Sequence, residues 1–171
     1  GWEELCLLYT EESRRDGVAD DVRAAMLRTV AQVQEQTLED LPAAAETISR
    51  LADIVPGDEA AVRALVGIHR RIGNSHGLAG AMLRLSSMIA TVEERKELLH
   101  EAARIYEAEL RDDDGAARVF ARLLEIDERD ATTLRKLDRL YEKLGNYEGL
   151  ADILEREVAL SQEPVEKADL L

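Results

Sequence analysis

Three histidines, a single cysteine, a glycine-spaced turn and several acidic runs are the places where this chain of 171 amino acids could do chemistry. His69 and His76 flank a turn at Gly73-Asn74, close enough in sequence for two imidazoles to share a metal ion. A metal centre needs further ligands, and no His-Glu-x-x-His, no Cys-x-x-Cys and no third ligand at helical spacing accompanies them. Gly73, Gly77 and Gly80 imitate a phosphate-cradling loop, but no strand precedes them and no Gly-Lys-Ser/Thr follows. The acidic runs at Glu93-Glu94, Glu107 to Glu109 and Asp112 to Asp114 carry the side chains used by calcium sites and general-acid pairs. They lack EF-hand spacing and sit at helix starts and turns, where solvation and the helix dipole favour carboxylates. Cys6 is alone, which excludes an internal disulfide; it reads as a small buried hydrophobe and fits a reducing, cytoplasmic compartment. No catalytic residue, metal ligand or cofactor site is assigned, and the chain reads as non-enzymatic.

The elements that would position any site are helices. The composition is 46% hydrophobic and 34% charged, with ten glycines and three prolines to interrupt a sequence rich in helix formers. No apolar run approaches the roughly 18 residues of a membrane span. With 36 acidic against 22 basic groups the net charge is −14, which opposes general nucleic-acid binding and, on acidic helix faces, anionic lipid. Apolar positions Val22, Met26, Val30, Val33 and Thr37, with Leu27, Ala31 and Leu38 beside them, give the 3.6-residue spacing of a buried face between Asp20 and Leu38. Asp40 caps a helix over 41–55 with Pro42 in its first turn, and Asp58 caps one over 59–72 that stops at Gly73. Further helices are predicted over 75–90, from a Thr91/Glu94 capping box to Leu110, and over 114–126, 131–144 and 147–161. Trp2, Tyr9, Tyr106, Phe120, Tyr141 and Tyr147 fall at helix-core positions, which removes them as a stacking platform for bases. No segment shows strand alternation.

Sliding the chain along itself by 72 residues superposes Gly73-Asn74 on Gly145-Asn146, Arg50-Leu51 on Arg122-Leu123, Asp58 on Asp130 and Leu65 on Leu137. Roughly 22 of about 78 aligned pairs are identical, several times what composition alone gives, so the chain is a tandem duplication. Each copy holds four helices, making a helix pair of about 36 residues the elementary unit. One pair cannot bury its own apolar face, and each fully buried Leu or Ile that stacking provides contributes roughly 1.5–3 kcal/mol. The expected fold is all-α, an α-α superhelix of antiparallel pairs near 20–55, 58–90, 92–126 and 130–161, with partial helices at 2–13 and 164–171. These form one repeat domain over 1–171. The first residue is not Met and both ends fall within a helix pair, so flanking sequence is expected to continue the period.

The units resemble tetratricopeptide repeats. Leu134, Leu137, Tyr141, Gly145, Leu150 and Leu154 follow the repeat spacing in one unit. Ala103, Tyr106, Ala116, Phe120 and Leu123 follow it in another, and Ala44, Ile48, Leu51 and Pro56 match the second-helix portion. The large first position is Leu27, Val62, Leu99 or Leu134 and never Trp, Asp138 replaces a small residue, and the longer first helices carry an extra residue or two before the turn. The resemblance implies a scaffold for protein–protein interaction whose first helices line a concave face. On that face the residue after the first signature position is Arg28, Arg63, His100 and Arg135. The next line holds Gln32, Gly67, Arg104 and Arg139, with Arg70, Arg71, Lys136 and Lys143 nearby. Such a basic stripe suits an acidic or carboxylate-ended peptide; it reads equally as ordinary i,i+4 pairing with Glu and Asp on the same helices. The asparagines of a chaperone-tail carboxylate clamp are missing. The remaining alternative is a structural spacer or a regulatory array serving a catalytic domain elsewhere in the polypeptide.

Overall fold

A computed structural model describes residues 1–162, and all its regular elements are helices. They are α1 (Trp2–Glu12), α2 (Asp20–Gln36), α3 (Leu41–Ile54), α4 (Glu59–Ile72) and α5 (Ser75–Ser86), then α6 (Val92–Arg104), α7 (Asp113–Ile126), α8 (Ala131–Leu144) and α9 (Tyr147–Gln162). A π-helical turn, Ile105–Leu110, continues α6. The predicted partial helix at 164–171 lies outside the described residues. The helices form two compact units, Gly1–Ala90 and the segment from Thr91 onward, and the division coincides with the boundary between the duplicated copies. Within each unit every helix packs on the next in sequence, so the architecture is all-α and built of helix hairpins.

Local chemistry fixes where each helix begins. Asp40, Asp58, Asn74 and Asp112 each accept a hydrogen bond from the backbone N–H three residues on, at Ala43, Ala61, Gly77 and Gly115. Asp130 accepts from both Thr132 and Thr133. Each cap satisfies a donor that the first helical turn cannot, an effect of about 1 kcal/mol. Gly73 and Gly145 end α4 and α8 at φ 69° and 67°, a left-handed geometry that a Cβ disfavours. Thr91 stands at the start of α6, but its hydroxyl points to the Glu94 carboxylate at 3.4 Å and accepts nothing from the backbone, so the predicted capping box does not form. Helix α5 stops at Ser86, earlier than predicted. The hydroxyls of Ser86 and Ser87 both donate to the Leu83 carbonyl and compete for a backbone acceptor there.

The extra residues before the first turn of each copy have a defined geometry. In the first copy Leu38 N–H reaches back to Val33 C=O, Glu39 takes φ 54°, and Asp40 N–H closes the turn on Gln34 C=O at 2.8 Å. In the second copy the π-turn leads to Arg111 at φ 53°, and Asp112 N–H closes on Tyr106 C=O at 3.0 Å. A single wide turn absorbs the insertion and still delivers an aspartate to cap the following helix. Both copies therefore hold a non-glycine residue in the left-handed region, at a cost of about 1–2 kcal/mol each.

The cores lie along the seams between successive helices. In the first unit Leu27, Val30, Ala44, Ile48, Leu51, Val62, Leu65, Ile68 and Met82 are buried; in the second, Leu99, Ile105, Phe120, Leu123, Leu134, Leu137 and Ile153 are. Cys6 packs with Val30 and Val33 where α1 meets α2, and burial pushes its thiol above the ordinary value. Four residue assignments are corrected. Val22 is exposed and Met26 half-buried, because the buried stripe of α2 runs one residue over, through Ala24, Leu27 and Ala31. Trp2 is 56% exposed and Tyr147 75% exposed, so neither ring is in a core.

Candidate functional site

The nine residues singled out on the first helices, Arg28, Arg63, Arg70, Arg71, His100, Arg104, Arg135, Arg139 and Lys143, are all exposed. Four belong to the first unit and five to the second. Their surroundings differ from simple pairing along one helix. Arg63 does bond Glu59 one turn away at 2.7 Å. Arg28 instead reaches from α2 to Asp58 at the start of α4 (2.7 Å), and Arg71 reaches from α4 back to Glu35 on α2 (2.5 Å). In the second unit Lys136 on α8 bonds Glu107 (2.8 Å), Lys143 bonds Asp113 (2.5 Å), and Lys96 on α6 bonds Asp127 (2.6 Å). Arg104 lies 3.8 Å from Glu109. Arg28, Arg71, Lys136 and Lys143 thus tie a first helix to a neighbouring helix pair. Among the described residues Arg135 and Arg139 have no ion-pair partner.

The electrostatics follow from which partner is covered. The Arg28 side chain is 53% exposed and Asp58 only 13%; for Arg71 and Glu35 the values are 53% and 32%. The carboxylates lie beneath and the guanidinium heads face water. Arg28 and the Ala61 amide hold the Asp58 carboxyl below the ordinary range, against the opposing effect of burial. At the equivalent position of the second copy, burial pushes Asp130 upward, but the Thr133 hydroxyl and the Thr132 and Thr133 amides outweigh it and keep the group low. His100, standing where Arg28 stands in the first copy, adds a smaller favourable interaction with Asp130.

Helices α2, α3 and α4 border an open pocket of about 270 Å³ within the first unit. Its walls are Ala31, Ile48, Leu51, Ala61 and Ala64, and its rim carries Arg28, Gln32, Glu35 and Asp58. Spacing alone did not reveal this pocket, although the signal was present: at the matching positions of the second copy Ile48 is Phe120 and Ala64 is Lys136. There the Lys136 ammonium lies 5.0 Å from the centre of the Phe120 ring.

His69 is a packing residue in this structure. Its ring lies against Gly77 so closely that a Cβ added there would fall 2.6 Å from it; Tyr141 meets Gly149, and Tyr106 meets Gly115, in the same manner. The His69 Nδ1 is buried and has no hydrogen-bond partner among the described residues. Desolvation lowers its affinity for a proton below that of an ordinary histidine, about 6.5. The unfolded chain therefore binds this proton more tightly than the folded one. Stability from this group is complete above about pH 6.5 and declines as the pH falls through that value. Thermal melts of the first unit between pH 7.5 and 5 are expected to show that decline, and His69→Tyr, which installs the ring found at Tyr141, is expected to flatten it. An unchanged slope in the variant counts against the assignment. Among the described residues no three His, Cys, Asp or Glu side chains converge as metal ligands, and no helix is long and apolar enough to cross a membrane.

Residues 98–132 and 133–166 match the tetratricopeptide repeat family model. Among solved structures, a crystal structure of MamA protein aligns with a TM-score of 0.46 and 13% identity over 99% of this chain and 98% of that one. A putative kinesin light chain from Podosopora anserina, with nearly identical TPR-like repeats, gives 0.43 and 16% over 97% and 88%. A tetratricopeptide repeat protein from Parabacteroides merdae gives 0.43 and 15% over 95% and 60%. No curated protein sequence matches the chain.

Proposed function

We propose, from the match of residues 98–132 and 133–166 to the tetratricopeptide repeat model, that the chain is a protein–protein interaction scaffold whose first-helix faces take an acidic or extended peptide. The repeat is generally a non-catalytic scaffold, and the set of side chains on these faces suits binding. The observation that carries the acidic specificity is the layering of charge: the cationic ends of Arg28 and Arg71 project to solvent over carboxylates that are more covered. In the second unit Arg135, Arg139 and Lys143 follow one another at four-residue intervals along α8 and are exposed. A peptide carboxylate meeting these forks gains charge-assisted hydrogen bonds, which are about twice as strong as neutral ones.

The spacer reading draws on a different observation. Arg28, Arg71 and Lys143 already bind helix to helix, a purely structural use of the same charges. One experiment separates the two. The purified chain is offered to an array of acidic, neutral and basic 12-residue peptides, and the acidic peptides retained are rebound to Arg63→Glu/Arg135→Glu. Loss of about tenfold or more in affinity, about 1.4 kcal/mol, with unchanged circular dichroism supports the binding face. Retention without regard to charge, or affinity that survives both reversals, supports the spacer.

A further inference from the structure

We infer that the open pocket between α2, α3 and α4 is a specificity site for one large apolar side chain of a partner peptide, flanked in that peptide by a carboxylate. This deepens the scaffold reading and rests on it. Unit two carries larger side chains at the corresponding positions: Phe120 has a ring where Ile48 has a branched chain, and Lys136, its ammonium 5.0 Å from that ring, has a four-carbon stem where Ala64 has a methyl group. The Lys136 ammonium then anchors on Glu107. In unit one both side chains are smaller, and about 270 Å³ is open beside them. Glu35, the counterpart of Glu107, is engaged by Arg71 instead.

The size and lining select the occupant. A volume near 270 Å³ falls below the roughly 300–1,000 Å³ of pockets for drug-sized ligands, and it suits a single Phe-sized or Leu-sized group. Ala31, Ile48, Leu51, Ala61 and Ala64 make the larger part of the lining apolar, which favours an apolar group between the polar side chains of Gln32 and Gln36. The rim then sets the flanks. Arg28 gives Asp58 one terminal nitrogen, and a guanidinium has five N–H donors, so a neighbouring peptide carboxylate can be bound without breaking that pair. Arg71 presents its head in the same half-exposed way.

The test uses three labelled peptides in a Gly-Ser frame: Asp-Phe-Asp, Asp-Ala-Asp and Asn-Phe-Asn. These are titrated into the isotopically labelled chain. Asp-Phe-Asp is expected to bind saturably, with a Kd on the order of 0.1 mM, and to shift the amides of Ala60, Ala61 and Ala64. Each of the other two peptides is expected to bind at least about tenfold more weakly. Ile48→Phe/Ala64→Lys copies the second unit's larger side chains and is expected to cost at least about tenfold in affinity while keeping cooperative unfolding. Ala64→Lys alone serves the same comparison should the double variant fail to fold. No saturable binding, equal binding of Asp-Ala-Asp, or undiminished binding to a folded chain with these substitutions would overturn the inference. If the peptide array still selects acidic sequences while Asp-Phe-Asp leaves Ala60, Ala61 and Ala64 unshifted, the pocket assignment fails and the scaffold reading stands. If the array shows no charge selection, the scaffold reading fails first.

Discussion

Leu137→Asp is expected to abolish the cooperative unfolding transition of the second unit. Leu137 is 1% exposed on α8, in the stripe that also contains Leu134 and Leu140 and that packs between α7 and α9. Removing the leucine forfeits roughly 1.5–3 kcal/mol of apolar burial. The new carboxyl group then either stays protonated in an apolar seam or drags water into it, costing about 1–3 kcal/mol more without a hydrogen-bond partner. Domains are stable by only about 5–15 kcal/mol in total, and a small unit stands at the low end, so the sum approaches the whole margin. Arg135→Glu, two residues away and exposed, is expected to change stability by about 0.5 kcal/mol or less. Urea titration followed by far-ultraviolet circular dichroism distinguishes them. Equal loss in both variants would mean that the inward and outward faces of α8 have been misassigned.

The contrast between those two neighbours shows what could be read from sequence. Helix starts at Asp40 and Asp58 were legible because a cap is local: an aspartate before an amphipathic run has one nearby use, and in the structure Asn74, Asp112 and Asp130 serve it as well. The duplication supplied the rest of the helix-pair pattern. What escaped were contacts set by packing. Trp2 and Tyr147 carry apolar rings at core spacing yet lie in water, since periodicity defines a face and not what covers it. The wide turns at 33–40 and 105–112 were visible only as extra residues, because a π-turn has no composition of its own.

The ion pairs do not follow the three- and four-residue spacing at which one helix surface brings side chains together. Arg28–Asp58, Lys96–Asp127, Arg71–Glu35 and Lys136–Glu107 are instead 30, 31, 36 and 29 residues apart. Each separation is close to one helix pair, so the repeat period is itself the spacing at which opposite charges meet. A scan for opposite charges one period apart would have found them.

Phe120→Ala is expected to destabilise the second unit by about 3–5 kcal/mol, the second-largest effect of those considered. Phe120 is among the largest fully buried side chains, and it stands at the position of Ile48, which lines the open pocket in the first copy. Two contributions are separable. One is the cavity, which Phe120→Ile reduces to the state already tolerated at Ile48 and which should then cost far less than the alanine. The other is the attraction between the ring and the Lys136 ammonium, whose distance of 5.0 Å lies within the range where a cation and an aromatic face interact by about 0.5–1 kcal/mol at exposed sites. A double-mutant cycle isolates it: Lys136→Ala is expected to cost about 0.5–1 kcal/mol more with phenylalanine at 120 than with isoleucine. The Glu107 pair is present in both backgrounds and cancels. No coupling would leave the ring as filler alone, and the lysine as a surface charge held only by its carboxylate.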